Sequence, residues 1–122
     1  MFIYGTQNPA LPNALGTFTH ARACDPVVAD DMYAFVTLRN GTNCNNASNQ
    51  LDVVDVQNLT RPFLLKTYPL TNPHGLSKDG DILFVCDGRD GLRVFDAAQP
   101  FNLRQTFHFR GIETYDVIAW NG

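Results

Sequence analysis

Four side chains mark where this sequence could do chemistry: Asp25, His74, Tyr115 and Asp116. They sit in the pairs Asp25-Pro26, His74-Gly75 and Tyr115-Asp116, each next to a short apolar stretch. A carboxylate, an imidazole and a phenol converging on one funnel could bind a small polar ligand or a cation. The plainer reading is structural. Asp25 and Asp116 would then accept backbone N–H bonds at strand starts, and His74 would end a strand.

The loop Asp87-Gly88-Arg89-Asp90-Gly91 holds two carboxylates and invites a calcium reading. A calcium loop needs alternating oxygens and a distal Glu, and Arg89 interrupts that pattern, so a hairpin turn is favoured. Asp55 and Asp96 follow equivalent apolar runs and suit a repeated role, accepting hydrogen bonds from the next turn. Ser48 and Ser77 are the only serines; Ser77 lies in HGLSKDG, which is not a nucleophile elbow. His20 and His108 have no partner motif and fit surface or inter-strand roles. Neither a cofactor nor a metal is expected: Cys24, Cys44 and Cys86 are an odd set without the close spacing of a zinc site.

The elements that must position these groups are short strands. Ile82–Cys86 and Leu92–Asp96 read as a hairpin closed by the Asp-Gly-rich turn. LDVVD at 51–55 recurs as LRVFD at 92–96, and AFV at 34–36 recurs as LFV at 83–85. The first offset is 41 residues and the second 49, so RNGTNCNNASN (39–49) is about eight residues longer than its counterpart. Repeats near 40 residues made of short strands predict an all-β chain: a β-propeller fragment of about three blades, each a four-stranded antiparallel repeat.

Along the single domain 1–122, residues 1–20 read as an outer half-blade and 24–70 as one blade. A second blade covers 73–110, and 111–122 is the innermost strand of the next. In that arrangement Asp25, His74, Tyr115 and Asp116 open inner strands around a central channel. Cys24 and Cys44 fall on one face of their blade and are expected to form a disulfide. Closing that loop would contribute on the order of 3 kcal/mol, while Cys86 stays a buried free thiol.

Composition bounds the rest. A net charge of −3 and no basic run argue against nucleic-acid binding. The apolar runs are too short to span a membrane, and MFIYG lacks the form of a signal peptide. Three glycosylation sequons, at Asn40, Asn46 and Asn58, carry little weight in so Asn-rich a chain.

The ordered set CDPVV, YAFVTLRNG, NQLDVVDV, YPL, HGL, LFVCDG, GLRVFD and TYDVI resembles the LVIVD-repeat family of bacterial surface proteins, its exported lipoprotein members in particular. The resemblance spans nearly the whole chain. It implies a propeller in a cell-envelope protein, outside the cytoplasm, and it brings no catalytic motif. The expected function is a non-enzymatic binding or scaffold module presenting the channel face and the 39–49 loop to a protein or carbohydrate. A propeller hydrolase or lyase centred on Asp25, His74 and Asp116 is the alternative. The ragged ends predict either a piece of a longer propeller or a homodimer that completes the ring.

Overall fold

The computed structural model describes residues 1–19, 26–41 and 48–121. Every regular element is a β-strand except one 3-10 turn, Pro100–Asn102. The strands form three antiparallel sheets. The first is the pair β1 (Phe2–Gly5) and β2 (Asn13–Thr17). The second is a four-stranded meander of β3 (Val27–Ala29), β4 (Tyr33–Leu38), β5 (Gln50–Asp55) and β6 (Phe63–Pro69). The third repeats it with β7 (Leu76–Asp79), β8 (Ile82–Cys86), β9 (Leu92–Asp96) and β10 (Arg104–Phe109).

The apolar pattern explains the stacking. Strands β4 and β5 are apolar on both faces and almost wholly buried, as strands covered on both sides must be. Ala34, Val36 and Val54 pack with Ile3 and Phe18 of the amino-terminal pair. Phe35, Leu51 and Val53, on the opposite face, pack with Leu83, Val85 and Phe95 of the third sheet. The repeat offsets map Ala34, Val36 and Val54 onto Leu83, Val85 and Phe95. Successive sheets therefore bury the same face toward their predecessor. Polar ties reinforce the junction between the middle and third sheets. Thr37 Oγ1 donates to the His74 carbonyl at 2.7 Å, and the Tyr68 hydroxyl accepts from Leu103 N at 2.8 Å. Lys78 Nζ lies 3.0 Å from Asp30 Oδ2.

The turns follow their sequence chemistry. Residues 87–91 close the β8–β9 hairpin through Asp87 N to the Gly91 carbonyl at 2.8 Å, and Gly88 and Gly91 take the positive φ values of 59° and 93°. After the third strand of each full repeat, Asp55 accepts from Gln57 N and Asp96 from Ala98 N, both at 3.0 Å.

One expected element differs. Residues 111–122 read as an innermost strand, yet 112–121 form no ladder, only a single bridge between Thr114 and Gly88. A strand exists by pairing, and among the described residues no strand forms a ladder with this segment. It is held instead by point contacts, Gly75 N donating to the Tyr115 carbonyl at 2.8 Å and Ala119 N to Ser77 Oγ at 3.0 Å. Among the described residues no helix is long and apolar enough to cross a membrane.

Candidate functional site

The middle and third sheets meet at their ends around a polar cleft of about 290 Å³. Thr37 and Arg39, at the end of β4, form one wall with Pro26. Pro73, His74 and Gly75, leading into β7, form the floor, and Tyr115 and Asp116 close the far side. Gly75 permits this closure. A Cβ there would collide with the Tyr115 carbonyl and with Asp116, so only glycine lets the 115–116 backbone come this close.

His74 is the centre of the cleft. Its amide donates to the Cys86 carbonyl at 2.8 Å, which fixes the backbone, and its ring meets Tyr115 edge-on with centroids 4.8 Å apart. Arg39 Nη1 lies 3.1 Å from both ring nitrogens, and Asn72 Nδ2 lies 3.3 Å from Nε2. Burial and then the neighbouring Arg39 guanidinium push the imidazole below its ordinary value, outweighing the opposite pull of Asp87 and Glu113. The ring is therefore neutral at pH 7. The Tyr115 hydroxyl donates to Glu113 Oε1 at 2.7 Å. That bond pushes the phenol up and pulls the Glu113 carboxyl down.

Three of the four residues singled out in the sequence thus share one cleft: His74, Tyr115 and Asp116. Asp25 lies outside the described residues, as do Cys24 and Cys44 with their expected disulfide, and His20. Asp116 Oδ1 accepts the Val117 amide at 2.9 Å, the structural role set beside the binding one. Sequence reasoning missed Arg39, Thr37 and Asn72. A usable signal existed for Arg39, which stands at the end of a buried strand where its repeat counterpart is Gly88.

The carboxylates of the loop 87–91 are engaged within the protein. Asp87 is fully buried and accepts from Thr71 N, Asn72 N and Arg93 Nε. Asp90 is taken by Arg93 and Thr71. These bonds pin 71–72, and hence the approach to His74, onto the third sheet. His108 lies between strands, its Nε2 2.6 Å from the Asp90 carbonyl. Cys86 is buried and free of any disulfide, and burial pushes its thiol up.

Beside β7 and β8 lies a second, more apolar cavity of about 690 Å³, lined by Ile82, Phe84, Val117, Ile118 and Trp120 among others. The same face of the third sheet carries Phe107 and Phe109, which remain 60 % and 48 % exposed.

Comparison with protein-family models, with curated proteins and with solved structures finds no match to this chain.

Proposed function

We propose that this chain is a non-enzymatic binding module of a cell-envelope protein, and that it takes a small polar ligand in the cleft around His74. The observation that carries this reading is the meeting of Arg39, His74, Tyr115 and Asp116 from three separate segments around one opening. Donors and acceptors gathered from different elements recognise a ligand's shape and polarity. Binding is favoured over catalysis by the company His74 keeps. Its ring faces a guanidinium and an amide rather than a carboxylate, and the pull of Asp87 and Glu113 toward an imidazolium is outweighed by burial and Arg39, the reverse of what a general base requires. Cys86 is buried with a raised thiol pKa, the reverse of an activated nucleophile.

The architecture we propose is part of a β-propeller of LVIVD-repeat type. Its support is the head-to-tail stacking of equivalent faces. The next position in that series is the open face of the third sheet, where Phe84, Leu92 and Val94 repeat the covered Phe35, Leu51 and Val53. A further blade, or β1 and β2 of a second copy, is the natural occupant. In a ring built this way the His74 cleft, with Arg39 on its wall, opens toward the channel, where a protein or carbohydrate could reach it.

A thermal-shift screen of small polar ligands, repeated on His74→Ala and Asp116→Ala, tests the reading. A ligand that raises the melting temperature of the unaltered chain and of neither variant supports it. Turnover of a ligand, lost in both variants, would move the assignment to a hydrolase or lyase.

A further inference from the structure

We propose that the Arg39 end of this cleft is an oxyanion site, receiving a carboxylate or phosphate group of a small ligand in the cleft beside the Arg39 guanidinium and the His74 ring. The inference rests on the binding reading above and names the chemistry of its ligand.

Arg39 is half-buried at the cleft wall. Its only polar partner among the described residues is His74, through Nη1. Nε and Nη2 make no hydrogen bond or ion pair there. Among the described residues no carboxylate near the cleft pairs with Arg39. Asp87 is held by Thr71, Asn72 and Arg93. Glu113 is held by the Tyr115 hydroxyl and by Arg89 at 3.5 Å. Asp116 Oδ1 is occupied by the Val117 amide. By contrast Lys78, Arg89, Arg93 and Arg104 each have a carboxylate partner. Among the described residues Arg39 is the partly buried arginine without one.

Guanidinium presents five N–H donors in a planar fork that matches a carboxylate or a phosphate face to face. The ring beside it adds to the case. A neutral imidazole has one acceptor nitrogen, yet Arg39 Nη1 and Asn72 Nδ2 both approach it as donors. One donor is therefore left over, together with whichever ring nitrogen carries the proton. An oxyanion accepts from both and supplies the negative charge that Arg39 lacks.

The charged and titratable groups around His74 are Arg39 just after β4, Asp87 after β8, and Glu113, Tyr115 and Asp116 from the carboxy-terminal segment. An added anion at Arg39 offsets the one cation that disfavours imidazolium. Binding and proton uptake at His74 are then linked, so affinity should rise as pH falls toward the imidazole's titration.

NMR titration of the full chain at constant ionic strength tests this, with inorganic phosphate, citrate and neutral glucose as three separate probes. The inference predicts saturable shifts of the His74 ring with phosphate or citrate and an upward move of its titration midpoint in the bound state. Phosphate without citrate identifies a phosphoryl ligand, and citrate without phosphate a carboxylate. Arg39→Gln should weaken anion binding at least tenfold, while Arg39→Lys, which keeps the charge and loses the fork, should recover part of it. Equal anion affinity in Arg39→Gln, or saturation seen only at other basic residues, overturns the inference. Glucose binding at His74 without any anion response overturns it too but leaves the binding module standing. Silence of the cleft to every probe and to the ligand screen removes both.

Discussion

Arg93 closes over Asp87, its Nε donating to the fully buried carboxylate at 2.7 Å. The same carboxylate accepts the Thr71 and Asn72 amides, so one side chain ties the β8–β9 hairpin to the segment that delivers His74. Removing one member of a buried pair leaves the other uncompensated, at about 3–5 kcal/mol. Asp87→Ala should therefore lower the free energy of urea unfolding by that order. Because Asp87 keeps its two amide donors when Arg93 is removed, Arg93→Ala should cost less. The double variant should fall short of the sum. A loss below 1 kcal/mol in Asp87→Ala would show that the clasp is not structural.

Acid sensitivity should concentrate at the sheet junction. Burial works to raise the Asp30 carboxyl, but the Met32 amide, Lys78 and the Tyr33 amide outweigh it and hold the group below its ordinary value. A group depressed in the folded state stabilises fully above its unfolded value, about 3.9, and loses that contribution as pH falls through the folded value. Asp90, drawn down by Arg93 against the effect of burial, behaves the same way. Unfolding free energy should be level with respect to these groups above pH 5 and decline below pH 4. Lys78→Met should make that decline shallower. An unchanged acid limb in Lys78→Met would contradict the role of the Asp30–Lys78 bridge.

The stacked sheets were legible in the sequence because their signal is local and repeated. The offsets linking Leu51 to Leu92 and Phe35 to Phe84 mark corresponding positions, and short β-branched and aromatic runs bounded by turn residues mark the strands. The Asp87–Asp90 turn was legible for the same reason. What Asp87 does was not, since Thr71, Asn72 and Arg93 reach it only through the fold. The cleft shows the same division. His74, Tyr115 and Asp116 could be placed by counting repeats, whereas Arg39 enters because the end of β4 abuts the start of β7, a relation between two sheets. Residues 112–121 misled in the other direction: their alternation is strand-like, but pairing needs a neighbour.

The open face of the third sheet should drive self-association. Ile82, Phe107 and Phe109 are 46 %, 60 % and 48 % exposed on one side of it, a patch of the kind that marks contact surfaces. Light scattering on the purified chain should show mass rising with concentration, and Ile82→Glu with Phe107→Glu should suppress the rise. A cooperatively folding monomer at every concentration would contradict the stacking account.

Amide chemical-shift mapping with a ligand taken from the thermal-shift screen tests the central claim most directly. If the cleft is the binding site, the largest perturbations fall on Thr37, Arg39, His74, Gly75, Tyr115 and Asp116, and Gly75→Ala abolishes them by driving the 115–116 backbone out of place. Perturbations confined to Ile82, Phe84, Ile118 and Trp120, with the cleft amides unmoved, would contradict it.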